Sequence, residues 1–300
     1  MACERPLLAV KTGIRPNGKL NLHFIHKICD DEIKYYSRVY GFENMYVIPC
    51  GKCPSCKKAY RRMWSLRCEA EARLYKQSSF MTLTLDNDNV TNEVKKEHLK
   101  KFFKDLRNRG ISFRYFACGE YGHNPITGDR DRPHYHAILF GYVPDDLKFW
   151  AKSKSGVDEF TSNFINSIWK KGFVTISLFN PAAAGYVAGY VDKKEEDESF
   201  LMMSTRPGLG ADYYKQNIKL FSELDSFVSK GGFVSRLPRY FESVCQRENV
   251  DISDLKEKRT NFTNVLTMAI CQEHGFDTLE QVFKYQGDKE RRKKKYARNL

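Results

Sequence analysis

Two imidazoles stand two residues apart in His134-Tyr135-His136, at the head of the apolar run Ala137-Ile138-Leu139-Phe140. Side chains of an extended strand alternate with period two, so both histidines project from one face and Tyr135 from the other. Imidazole is a common ligand of divalent metals, and a pair on one face can grip a single ion; the same pair also suits an ordinary polar strand end. Further along, Tyr186 and Tyr190 are four residues apart, which on a helix stacks them one turn above the other. Alone, such a pair reads equally as core packing. Beside a metal it reads as a nucleophile. A phenol attacks poorly at its ordinary pKa of about 10 and needs a cation or base, which Lys193 and Lys194 offer. An ion held by His134, His136 and a carboxylate would polarise a phosphodiester for in-line attack by tyrosinate. The products would be a 5'-phosphotyrosine and a free 3'-hydroxyl, with the bond energy kept for rejoining. Mg2+ and Mn2+ both accept mixed His and carboxylate ligands.

Hydrophobic periodicity supplies the elements that would carry these groups. Phe80 to Leu85 alternates apolar and threonine residues, predicting a strand that ends in the turn from Asp86 to Asn89. Val94, Leu99, Phe102, Phe103 and Leu106 form the stripe of a helix stopped by Gly110. Ile111 to Gly119 predicts a second strand running into Glu120, and a third begins at His134. Asp158 to Lys171 predicts a helix, Phe173 to Phe179 a fourth strand, and Asn180-Pro181 opens a helix through Lys194. The order βαββαβ is the split arrangement of α+β, ferredoxin-like or RRM-like antiparallel sheets, with the first and third strands central. An antiparallel pairing of Glu120 with His134, a register assumed here, would add the carboxylate as third ligand.

Three regions follow: 1–78, an extension with a cysteine turn and a basic helix; 79–194, the core with the candidate chemistry; and 195–300, a helical region with a basic tail. Within the last, 211 to 227 and 253 to 274 read as helices, and Lys289 to Lys295 is the tail. A formal charge of +13 from 50 basic and 37 acidic residues implies a polyanionic partner. No apolar run approaches the roughly 18 residues of a membrane span, and no secretory leader is apparent, so a cytosolic location is expected. Nine cysteines, an odd number in a chain of this size, argue against a disulfide framework. Cys50-x-x-Cys53-x-x-Cys56 could hold a structural Zn2+ with a fourth thiol from Cys68, Cys29 or Cys3, or could be free thiols in a tight turn. From Lys57 to Lys76 a helix is expected, with one packed side and a basic side that is either solvated or set against phosphates.

The motif at His134 resembles the H-hydrophobe-H signature of the HUH endonucleases, and the tyrosine helix resembles their two-tyrosine form. Residues in family order extend the likeness to the replication initiation proteins of microviruses, particularly the gokushovirus group of single-stranded DNA phages. They are Pro49-Cys50-Gly51-x-Cys53-x-x-Cys56, Phe80-x-Thr82-Leu83-Thr84, Cys118-Gly119-Glu120-Tyr121-Gly122, Arg132-Pro133-His134-Tyr135-His136, Tyr186-Val187-Ala188-x-Tyr190-Val191-x-Lys193-Lys194, Arg206-Pro207-Gly208-Leu209-Gly210 and Leu237-Pro238-Arg239-Tyr240. The resemblance implies a rolling-circle initiator in the cytoplasm of a bacterial host. It would nick the origin of duplex replicative-form DNA, act on single-stranded DNA, stay bonded to the 5' end and reseal circles beside a host helicase and polymerase. It implies metal ligation by His134, His136 and Glu120, catalysis by Tyr186, Tyr190, Lys193 and Lys194, and DNA contacts from Arg61, Arg62, Arg206 and Arg239. Related chains often carry a lysine just before the second tyrosine, where Gly189 stands here, leaving Lys193 or Lys194 to assist. The alternatives are a relaxase or transposase of the same chemistry, and a non-catalytic zinc-containing DNA-binding protein.

Overall fold

The computed structural model describes residues 3, 6–16, 20–25, 30–41, 44–91, 93–123, 130–153, 155–189, 199–275, 281–282, 284–285 and 288. Cys29, Tyr190, Lys193, Lys194 and the basic run at 289–295 lie outside them. The chain divides into two compact units, Met1–Ala59 with Ser253–Leu300, and Tyr60–Ile252.

In the first unit β1 (Leu7–Ile14), β2 (Leu20–Ile25), α1 (Asp30–Tyr40) and β3 (Met45–Ile48) follow in order. The strands form an antiparallel sheet β2-β1-β3, in which Leu7 faces Ile48 at one end of the β1·β3 ladder. Leu8, Val10 and Ile25 pack beneath Ile33 and Tyr36 of α1.

Next come α2 (Pro54–Ala72), β4 (Ser78–Thr84), α3 (Lys96–Asn108), β5 (Arg114–His123) and β6 (Arg130–Phe140). They are followed by β7 (Lys148–Lys152), β8 (Asp158–Thr161), α4 (Asn163–Trp169), β9 (Val174–Leu178), α5 (Pro181–Gly189) and β10 (Phe200–Met203). The seven strands form one sheet, ordered β10-β5-β6-β4-β9-β8-β7 and antiparallel throughout. The α+β class and the central pairing of β4 with β6 agree with the sequence pattern. Alternation along β6 divides the core. Tyr135, Ala137 and Leu139 pack with Leu99, Phe102 and Phe103 of α3 and Trp169 of α4, whereas Ile138 and Phe140 pack with Trp64 of α2 and Val187 of α5. His134 and His136 share the parity of Ile138 and so face α5.

Two expected helices differ. Residues 158–161 form β8, paired with β7, instead of the first turn of a helix. The helix starts at Asn163 because the buried Ser162 hydroxyl accepts from the Ile165 N–H at 3.1 Å. The stretch from 211 breaks at Asn217 into α6 (Ala211–Gln216) and α7 (Ile218–Leu224), and Asp225 at φ 47° ends the second. The hairpin β11 (Ser226–Val228) and β12 (Val234–Arg236), α8 (Arg239–Arg247) and α9 (Ser253–His274) complete the elements, α9 belonging to the first unit. Among the described residues, no helix is long and apolar enough to cross a membrane.

Two buried carboxylates of α2 hold the segments beyond β10. Glu71 pairs with Arg114 Nε at 2.7 Å and accepts the Gly210 N–H at 2.7 Å. Glu69 accepts from Arg73 at 2.8 Å and from the Lys230 N–H at 2.6 Å. Arg114 also donates to the carbonyls of Arg206 and Pro207, and Arg67 donates to that of Leu209 at 3.2 Å. The Arg67 guanidinium lies 3.6 Å from the ring centroid of Tyr240. Arg67 and Arg73, expected on a phosphate-facing or solvated side, are therefore engaged within the unit.

Tyr214 sits among Phe221, Phe227 and Phe241, fully buried, with no hydrogen-bond partner for its hydroxyl. Burial pushes its pKa far above the ordinary value. Because the folded-state pKa is raised, its stabilisation is complete below the unfolded value of about 10 and is lost as pH rises beyond it. In urea titrations, Tyr214→Phe is expected to leave stability at pH 7 unchanged or raised by about 1–3 kcal/mol, and to flatten the decline at alkaline pH.

Candidate active site

β5 and β6 pair with Glu120 opposite His134 and Cys118 opposite His136, the register assumed from the sequence. On the other side of β6, Thr82 of β4 stands opposite His136. His136 is thus enclosed by both neighbours: Nε2 lies 3.0 Å from Glu120 Oε1 and Nδ1 lies 3.1 Å from Thr82 Oγ1. Burial pushes the imidazole pKa down, against the pull of Glu120 and with a smaller push from His134. The ring is accordingly neutral. A carboxylate only accepts, so the network places the proton on Nε2 and lets Nδ1 accept from the Thr82 hydroxyl.

A strand and a helix build the rest of the site. The ring of Phe80, two residues before Thr82 on the same face of β4, stacks on His136 at 5.7 Å between centroids and 8° between planes. From α5, Tyr186 meets His136 edge-on at 5.2 Å and 79°, and meets Phe80 at 6.4 Å and 87°. Tyr186 remains 51% exposed, so its hydroxyl-bearing ring is accessible beside a buried imidazole. Expected core packing and expected reactivity therefore meet in one side chain. α5 approaches α2 closely: a Cβ on Gly185 would lie 2.9 Å from Ser65 Oγ, and one on Gly189 would lie 3.0 Å from Arg61 Nε. The Arg61 guanidinium is thereby set against the tyrosine helix at Gly189.

Tyr135 explains itself on the opposite face. It is fully buried, its oxygen accepts the Lys95 N–H at 3.1 Å and contacts His98 Nδ1 at 2.8 Å, and burial pushes its pKa up to about 12. It braces β6 against α3 and takes no part in the site.

His134, His136 and Glu120 supply two imidazoles and a carboxylate on one face, a donor set suited to Mg2+ or Mn2+. The Nδ1 of His134 is buried without a hydrogen-bond partner, as expected of a ligand atom. Glu120 and His136 are closed on each other, and among the described residues only Cys3, Cys50, Cys53 and Cys56 bring all their ligand atoms within 4.8 Å of one another. The fourth thiol in that group is Cys3, in place of Cys68. Cys68 is wholly buried in the apolar cluster with Trp64, Phe116 and Ile138. Of the arginines expected at DNA, Arg61, Arg62, Arg206 and Arg239 are all exposed, and Arg62 donates to Ser235 Oγ at 2.6 Å. Thr82 and Phe80 had no role assigned from sequence; their signal was the alternation of a strand whose partner register was unknown.

The model of the replication-associated protein ORF2 family matches residues 78–195. Over 284 residues the chain is 32% identical to the replication-associated protein ORF2 of Spiroplasma virus 4, covering 86% of each. The chain belongs to the microvirus-type replication initiators. The initiator is also 26% identical to the replication-associated protein ORF4 of Chlamydia phage 1, over 80% of this chain and 63% of that protein. It is 25% identical to the replication-associated protein VP4 of Bdellovibrio phage phiMH2K, over 81% of this chain and 76% of that protein. No solved structure matches.

Gly119 sets the approach of β10 to the site. A Cβ there would fall 2.4 Å from Val94 Cγ1 and 2.6 Å from Phe200 Cε1, both in packed side chains. Gly119→Ala is expected to destabilise the initiator by about 1–3 kcal/mol, read from the urea midpoint at constant slope.

Proposed function

We propose that this replication initiator is a metal-dependent, site-specific DNA endonuclease and strand transferase of the HUH type. The observation that carries the reading is the exposed Tyr186, held edge-on to His136 on the sheet face that also presents His134 and Glu120. The order β5-β6-β4-β9 supports a ferredoxin-like core within 79–194. A Mg2+ or Mn2+ ion held by His134, His136 and Glu120 would supply Lewis-acid stabilisation of the scissile phosphate.

The chain's own groups do the remainder. Tyr186 Oη attacks phosphorus as the P–O3' bond breaks. The phenolic proton goes to solvent or base, and the leaving 3'-oxygen gains one. The 5' end stays on the enzyme as a phosphotyrosine, and the reverse attack by a 3'-hydroxyl rejoins the strand. Tyr190 takes the second nucleophile role, with Lys193 and Lys194 lowering the cost of its phenolate. Thr82 orients His136: its hydroxyl can donate to Nδ1, or accept from Nδ1 when Nε2 is given to the metal. Arg61, set against Gly189, adds positive charge beside the tyrosine helix where the strand's phosphates would run. Arg62, Arg206 and Arg239 add exposed charge for single-stranded origin DNA and the duplex replicative form. Host helicase and polymerase complete the process in the cytoplasm of the bacterial host.

Incubation with single-stranded origin DNA and Mn2+, followed by a denaturing gel, tests this reading. A covalent adduct is expected, abolished by Tyr186→Phe combined with Tyr190→Phe. Thr82→Val is expected to slow its formation by about 10–100-fold. His136→Ala should remove cleavage while leaving most DNA binding, which rests on phosphate contacts. No adduct across candidate origins with intact protein would leave a non-catalytic DNA-binding role instead.

A further inference from the structure

The cysteine turn and the amino terminus meet at one end of a ladder. β1 begins at Leu7 and β3 ends at Ile48, and these two residues are paired. Cys3 precedes the one and Cys50 follows the other, so antiparallel pairing brings them to the same end. The sulfurs are mutually close: Cys3 to Cys53 is 3.9 Å and Cys50 to Cys56 is 4.0 Å, with all four within 4.8 Å. A tetrahedron of Zn–S bonds of about 2.3 Å has sulfur-to-sulfur edges of about 3.8 Å. Backbone N–H groups already point at sulfur, from Cys50 to Cys3 Sγ and from Cys53 to Cys50 Sγ, each at 3.3 Å. Such donors favour thiolates. Gly51 makes the turn possible, at φ +75°, with open space where a Cβ would stand.

We propose that Cys3, Cys50, Cys53 and Cys56 form a closed structural zinc site. Four thiols give up four protons to solvent on binding, and no position is left for water or substrate, which separates this site from a catalytic zinc. Three of the four cysteines are buried, and Cys50 is half-buried. The sheet they terminate has a small core, built on Leu8, Val10 and Ile25, and a metal staple is the usual supplement to so small a core. The ion would tie the amino terminus to the start of α2, where Cys53 and Cys56 lie beside and within the first turn. Cys68 has no part in it.

The test uses the full chain, purified without chelator and analysed for metal and free thiols, then exchanged with Co2+. About one zinc per chain is expected, with the intense visible bands of a tetrahedral four-sulfur Co2+ site. Cys3→Ser should lose most of its zinc to a chelator challenge that the parent survives, and its Co2+ spectrum should shift to three sulfurs. Cys3→His, which restores a ligand, should recover zinc even if the serine variant fails to fold. Cys68→Ala should retain parental zinc content and spectrum. Absence of bound metal, iron in place of zinc, disulfides among these cysteines, or a Cys3→Ser spectrum identical to the parent would each overturn the proposal.

Discussion

The pairing of Glu120 with His134 across β5 and β6 decides which face of the sheet carries the candidate chemistry. Strand side chains have a period of two, so a slip of one residue would turn both imidazoles under α3 and bring Tyr135 to the α5 side. The register is held from both faces. Tyr135 anchors one side through Lys95 and His98, and Ile138 and Phe140 fill the other against α2 and α5. What results is a polar cluster whose geometry is set by packing that contains no reactive group.

That packing extends through α2. Its buried Glu69 and Glu71 gather Arg73, Arg114 and two backbone N–H groups from distant segments, so the loop from Arg206 to Gly210 is anchored to the helix that packs on α5. A buried carboxylate left without these partners would be strongly unfavourable, so the contacts fix the loop as well as satisfying the charge. The basic character of α2 is divided accordingly. Arg67 and Arg73 serve the fold, whereas Arg61 and Arg62 remain at the surface.

Much of this was legible from residue pattern. The alternation around His134-Tyr135-His136 identified the strand and its two faces, and the βαββαβ order implied that β4 and β6 lie side by side. The extra strands were less legible. β8 is four residues rich in charge and continuous with a helical pattern, and only its pairing with β7 makes it a strand. Thr82 required the β4·β6 register, which periodicity does not specify. Cys3 lies 47 residues before Cys50, and nothing local connects them; the β1·β3 ladder does. Cys68 looked closer in sequence, but its helical phase points it into the apolar core.

The proposed chemistry stands most directly on Tyr186. Its measurement is mass spectrometry of peptides from the adduct formed on labelled single-stranded origin DNA. The account predicts a nucleotide joined through its 5'-phosphate to the peptide bearing Tyr186, with Tyr190 modified when Tyr186 is replaced by phenylalanine. A nucleotide on any residue other than these two, or a 3'-phosphate linkage, would contradict it.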